Sequence, residues 1–318
     1  MTLDPEAKAY LEATAALGLP PMAEQGALAA RRAVVLRAAE LAGEPEPVGR
    51  IEDRTVPGPA GPIGVRVYAP AITTSTPSPL PILAFFHGGG WVTGDIDTHD
   101  SACRGLANRA GCLVVAVDFR CAPEHRFPAA LEDSWATVEW LGREGARLGG
   151  DAGRLAVIGD SAGGNLAAAV AVRARDRGGP KIAAQLLVYP VLEYDLETPS
   201  YVAKATGFGL TRDSMRWYWE QYLGEDGDGF SPEASPLRTG DLAGLPPALV
   251  LTCEHDPLHD EGVAYARRLA EAGVPVEQID EPGMIHGYFR MPAAIGRARK
   301  SWDDCARFVR REFGREAG

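Results

Sequence analysis

No apolar run in this sequence approaches the roughly 20 residues that a membrane-crossing helix needs, so membrane insertion is not expected. Positive charge is also scarce. Lys and Arg number 32 against 43 Asp and Glu, a formal net charge of −11, which argues against a nucleic-acid partner. The opening stretch MTLDPEAKAYLEATAALG carries Asp4, Glu6 and Glu12 and lacks a basic leader joined to an apolar segment, so a cytoplasmic location is expected. Cysteines are few and odd in number: Cys103, Cys112, Cys121, Cys253 and Cys305. None has the spacing of a zinc or redox motif and none is flanked like a catalytic thiol, so free thiols in a reducing compartment are expected. Phosphate loops are missing too. A G-x-G-x-x-G reading from Gly88 and Gly90 would need glycine where Thr93 stands, and no G-x-x-x-x-G-K-[ST] occurs. There is no internal repeat.

What is present is a chain of 318 residues, 46% hydrophobic, enough for a large buried core. Two Ala-rich segments, Pro5 to Ala16 and Pro21 to Ala42, read as helices, the second stopped by GEPEP. The stretch Gly64 to Pro70 alternates like a half-buried strand. Pro81 to Phe86, Cys112 to Phe119, Arg154 to Asp160, Ala184 to Pro190 and Ala248 to Cys253 are short continuous apolar runs, as in strands covered on both faces. Between them lie helical patterns. The clearest starts at Phe127, with Leu131, Trp135, Val138 and Leu141 on one stripe. The order predicts a doubly wound α/β domain over the whole chain. The stretch Ala69 to Pro81 reads as an exposed loop. Pro199 to Phe230 is rich in aromatics and has no strand-like run. It is read, with the N-terminal helices, as a cap built from about 1–45 and about 195–230. The plainer reading of those aromatics is ordinary packing against the body.

GDSAG, Gly159 to Gly163, sits between the strand-like RLAVI and the helical NLAAAVAVRAR. That is the context of a nucleophile elbow, where a serine is exposed on a strained strand-to-helix corner and glycines permit the close approach. Ser161 is the candidate nucleophile. The competing reading is a helix N-cap serine. Upstream, three glycines follow the apolar strand in HGGGW, which suits amides aimed at a developing oxyanion. The predicted donors are Gly88, Gly89 and Ala162, the last at a helix N-terminus. A purely structural turn is the alternative.

The base must be chosen among six histidines. His87 is placed to brace the glycine loop. His99, at a polar helix start, is expected to be solvated. His125 lies in a turn between prolines, and His255 and His259 flank Asp256. His286, in EPGMIHGYF, follows a strand-like run and precedes a permissive glycine, so it is the candidate base, with His259 as the rival. Asp256 falls just past a buried strand, where functional residues of open α/β sheets gather, and is the candidate acid. Its rival is Asp260, or a plain N-cap role for Asp256 itself. The order Ser161, Asp256, His286 is that of α/β-hydrolases.

With these elements assembled, the chain from about Val65 onward resembles the bacterial hormone-sensitive-lipase-like carboxylesterases. The resemblance rests on HGGGW (His87 to Trp91), DFRCAPEHRFPAA (Asp118 to Ala130), GDSAGGNLAA (Gly159 to Ala168), DPLHDEG (Asp256 to Gly262) and MIHGY (Met284 to Tyr288). It implies an α/β-hydrolase fold, about eight mostly parallel strands with a helical cap, and a serine esterase of small, short-to-medium acyl esters that needs no metal or cofactor. It also implies Ser161, Asp256 and His286 as the triad, and a three-glycine loop linked in this family to bulky alcohol groups. Members are often dimers through an edge strand, so a homodimer is an implied partner beside the small-molecule ester. Departures from the family pattern are Phe119 and Cys121 where Tyr and Leu are usual, and His255 and His259 beside the acid. Trp91, Phe208, Trp217 and Tyr218 are read as lining the substrate pocket. An amidase or deacetylase would use the same residues, whereas a non-catalytic receptor on this fold would be expected to have lost one triad member.

Overall fold

The structure, a computed structural model, describes residues 2–71 and 79–314. Eight strands form one sheet: β1 (Arg50–Gly58), β2 (Gly61–Ala69), β3 (Leu80–Phe86), β4 (Leu113–Asp118), β5 (Gly150–Asp160), β6 (Ile182–Val188), β7 (Ala248–His255) and β8 (Val276–Ile285). Their spatial order is β1-β2-β4-β3-β5-β6-β7-β8. β2 runs antiparallel to both its neighbours, and every other pair is parallel. This is the α/β-hydrolase architecture.

Ten α-helices accompany the sheet among the described residues. α1 (Pro5–Ala16), α2 (Met22–Gln25) and α3 (Ala27–Ala42) precede it. α4 (Asp100–Ala110), α5 (Ala129–Glu144), α6 (Ala162–Asp176), α9 (His259–Glu271) and α10 (Arg297–Glu312) cover its two faces. α7 (Pro199–Ala203) and α8 (Arg212–Leu223) lie in the long insertion between β6 and β7. The continuous apolar runs are explained by the two layers. Along β3, Ile82, Ala84 and Phe86 join the core under α5 and α6, while Leu83 and Phe85 join the core under α4 and α10. Packing there is tight: a Cβ on Gly105 of α4 would come within 2.4 Å of the Trp302 ring of α10.

Several expectations are corrected. β1 was not foreseen; only Val56 of its nine residues is buried, so this antiparallel edge carries no apolar pattern to read. The single helix expected from Pro21 to Ala42 is two, broken at Gly26, whose φ of +74° is outside the helical range. The helix expected from Phe127 begins at Ala129. The loop expected over Ala69 to Pro81 is strand at both ends, and its middle, 72–78, lies outside the described residues. Among the described residues no helix is long and apolar enough to cross a membrane. No disulfide joins the five cysteines among the described residues.

Candidate active site

The turn from β5 into α6 presents Ser161 at φ 57°, ψ −121°, a backbone conformation that costs an L-residue of order 1–3 kcal/mol. The corner is held by Ser161 N donating to Val188 O at 2.9 Å, and by Ser161 O accepting from Asn165 N and Val191 N. Only glycine fits on either side. A Cβ on Gly159 would stand 2.1 Å from Gly163 O, and one on Gly163 would stand 1.9 Å from Phe86 O.

The tips of β7 and β8 bring two more side chains to this corner. His286 Nε2 lies 2.9 Å from Ser161 Oγ, and its Nδ1 lies 2.7 Å from Asp256 Oδ2. Asp256 is fully buried, and its other oxygen accepts the Leu258 amide at 2.9 Å. That contact joins it to the backbone entering α9 and fixes the carboxylate. The Tyr189 ring packs against the imidazole with centroids 4.6 Å apart. The rivals sit elsewhere. His259 pairs with Asp260 at 3.1 Å and faces Asp280, while Asp260 accepts the Ser200 amide. His255 stacks on Phe208 with centroids 4.9 Å apart.

The glycine loop differs from expectation in one respect. Gly88 N donates to Asp160 Oδ1 at 2.9 Å, so this amide is already committed and is not a free oxyanion donor. The reason is the demand of a buried carboxylate for donors. Asp160 is 3% exposed and takes Gly88 N, the Tyr189 hydroxyl at 3.5 Å and the flank of His99, whose Nε2 stands 3.2 Å away. Burial pushes the Asp160 carboxyl up, but His99, Arg290 and the Gly88 amide outweigh it and hold it below the usual carboxylate range. The amides of Gly89, Gly90 and Ala162 meet no acceptor among the described residues. Gly90 was missed because its spacing alone does not distinguish it from Gly88. The loop is curled by Val92 N and Thr93 N, which both donate to Gly89 O. Gly89 and Gly90 have φ of 119° and 60°, and a Cβ on Gly90 would stand 2.1 Å from the Tyr218 ring.

His87 lies against the loop, its Nδ1 2.9 Å from Gly88 O and its ring stacked on Phe119 at 4.2 Å. Burial, with His99 alongside, pushes its imidazole down to about 4. His99 is not solvated as expected. It is 2% exposed, because the turn at Asp97–His99 folds its ring inward against Phe85, His87 and the Asp160 carboxylate. Asp160, also missed as a functional residue, has one sequence signal: an acid directly before the elbow serine in an otherwise apolar strand.

Ser161 and His286 open into a cavity of about 590 Å³. Its walls come from the glycine loop, from α1 to α3, from the segment leading into α8, and from Arg290 and Met291 after the histidine. Of the four expected pocket residues, Tyr218 lines it. Trp91 does not: its indole is stacked on Tyr222 at 4.0 Å and packed against Trp219. Trp217 is buried against Tyr218 in the core, and Phe208 is taken up by His255.

The chain is similar to known proteins over most of its length. A family described as having the alpha/beta hydrolase fold matches residues 83–290. Esterase LipI of Mycobacterium tuberculosis is 46% identical over 259 residues, covering 80% of this chain and 80% of LipI. An ethyl acetate hydrolase of Pseudomonas putida is 38% identical over 311 residues, covering 94% of this chain and 95% of its own. Among solved structures, the ester-hydrolase EH1AB1 from the metagenome of Lake Arreo, complexed with a derivative of bipyridine phosphonate, superposes with a TM-score of 0.94. It is 40% identical, covering 98% of this chain and all of the other.

Proposed function

Because the chain belongs to the α/β-hydrolase fold family, among its hormone-sensitive-lipase-like serine carboxylesterases, we propose that Ser161, His286 and Asp256 carry out ester hydrolysis in this protein through a covalent acyl-enzyme. The observation that carries this reading is the unbroken relay from Asp256 Oδ2 through His286 to Ser161 Oγ, with 2.7 and 2.9 Å links, opening into the cavity.

His286 Nε2 takes the hydroxyl proton as Ser161 Oγ attacks the ester carbonyl. Asp256 accepts from Nδ1–H, fixes the tautomer and stabilises the imidazolium. The carbonyl oxygen, now negative, is held by the amides of Ala162, Gly89 and Gly90, which have no other acceptor among the described residues. Collapse of the tetrahedral intermediate expels the alcohol with the proton returned from His286. Water, deprotonated by the same imidazole, then releases the acid. The substrates are small esters, the class named for the ethyl acetate hydrolase among its relatives. The cap reading, about 1–45 with about 195–230, is supported by cavity walls drawn from both segments.

The test is hydrolysis of p-nitrophenyl esters of graded acyl length by the wild type and Ser161→Ala. Turnover is expected in the wild type and absent in the variant. Undiminished turnover in Ser161→Ala, or a serine-directed phosphonate that labels a different residue, would overturn the assignment.

A further inference from the structure

Arg290, four residues after the histidine, lines the same cavity as Ser161 and His286. It lies in the short helical turn Tyr288–Arg290 and is half-buried. Its guanidinium bears on Asp160, Tyr189 and Tyr218, favouring the charged form of all three, so its charge is felt at the floor of the site. Yet among the described residues it makes no ion pair and no hydrogen bond. The buried carboxylate in its field, Asp160, is already engaged by Gly88 N, His99 and Tyr189. Most arginines near the sheet behave otherwise: Arg66, Arg109, Arg120, Arg173 and Arg297 each hold a carboxylate. A second arginine on the cavity wall, Arg37, also has no acidic partner among the described residues, where it meets Thr14 Oγ1 and the Tyr10 ring. The other acid on that wall among the described residues, Asp213, is exposed and paired with Arg216.

A guanidinium offers five donors in a planar fork matched to a carboxylate. Withdrawing it partly from water without an acceptor is costly, and in a chain of net charge −11 carboxylates are available to neutralise it. We propose that Arg290 is the anchor for a carboxylate carried by the substrate, so that this esterase acts on acidic esters such as half-esters of dicarboxylic acids. This rests on the esterase reading above and adds the substrate's charge to it. A charge-assisted, bidentate contact would orient the ester over Ser161, with Arg37 adding positive potential from the cap side.

The test compares matched substrates that differ only in charge. One arm puts the carboxylate on the acyl side, mono-p-nitrophenyl glutarate against p-nitrophenyl pentanoate. The other puts it on the alcohol side, the butyrate ester of p-hydroxybenzoate against that of p-hydroxybenzamide. For each arm the readout is the ratio of kcat/KM, acidic over neutral. In Arg290→Gln this ratio is expected to fall about 10- to 100-fold in one arm, which also identifies the side. Arg290→Lys is expected to keep part of it, and added salt to weaken it in the wild type. If Arg290→Gln does not fold, competition in the wild type decides: free glutarate or benzoate should inhibit neutral-ester hydrolysis more strongly than the corresponding amides. Ratios unchanged in both arms, or anions no better than amides as inhibitors, would overturn the proposal. Failure of a folded wild type to hydrolyse any of the four esters would instead count against the esterase reading.

Discussion

The amide of Gly88 donates to Oδ1 of Asp160 at 2.9 Å, so the residue immediately before the elbow serine also holds the glycine loop above it. Removing that acceptor should loosen the loop and misplace the amides of Gly89 and Gly90. Asp160→Ala is expected to lower kcat by about 100-fold, on the scale of losing an oxyanion donor. Asp160→Asn keeps an acceptor oxygen and should recover part of the loss. Steady-state kinetics on p-nitrophenyl acetate checks this; equal losses in the two variants would mean the charge, not the hydrogen bond, is what matters.

Asp256 is fully buried and bonded to both His286 and the Leu258 amide. Asp256→Asn fills the same space but presents a donor where the imidazole needs an acceptor, favouring the wrong tautomer. The expected loss in kcat is on the order of 10,000-fold. Circular dichroism should be little changed, and retention of more than a tenth of the activity would remove Asp256 from the relay.

Gly163 cannot carry a side chain, since its Cβ would stand 1.9 Å from the Phe86 carbonyl. That neighbour is sheet backbone and cannot swing aside. Gly163→Ala is expected to cost about 3 kcal/mol or more, read as a drop in the urea midpoint or as loss of soluble protein.

His87 stays neutral because burial, with His99 nearby, lowers its folded pKa to about 4, while the unfolded chain takes up the proton near 6.5. Between those values the unfolded state binds more protons, so stability rises with pH. The His87 contribution is therefore complete above about pH 6.5 and is lost as pH falls toward 4, by up to roughly 3 kcal/mol. His87→Phe should flatten the fall of Tm over that window; a slope identical to the wild type would show that other groups set it.

Trp91 is stacked on Tyr222 and packed at a tilt against Trp219, away from the cavity, whereas Tyr218 is on its wall. Trp91→Ala is expected to destabilise the fold by about 3–5 kcal/mol. Tyr218→Ala should act chiefly on KM for longer acyl chains. Chemical denaturation and a chain-length series separate the two effects.

Much of this was legible in the sequence because the signals are local. The runs Ile82 to Phe86 and Leu113 to Val117 are apolar without alternation because both sheet faces are covered, and the elbow is fixed by glycines within one turn of Ser161. The relay was readable from chain order and from position at strand ends. What was not readable depends on contacts distant in sequence. The pairing of Gly88 with Asp160 spans 72 residues, and nothing within HGGGW reveals which glycine amide it uses up. His99 looked solvated beside Asp97 and Asp100, and only the fold brings it under Asp160. β1 escaped because a strand with one buried residue has no periodicity, and Trp91 looked like a pocket residue because its partners come from the insertion.

The helices over the cavity are thinly anchored: α1 buries only Ala7, α2 buries nothing, and α3 buries Ala30, Ala38 and Leu41 while leaving Leu28 and Leu36 in solvent. Their hold on the body includes a few polar ties, among them Arg31 to the carbonyls of Val92 and Ala122 and Glu6 to the Gly296 amide. Local opening costs least where buried contacts are fewest. On warming, then, these helices are expected to come away while the sheet beneath them is still intact, so that activity measured against temperature falls before the far-ultraviolet circular dichroism does.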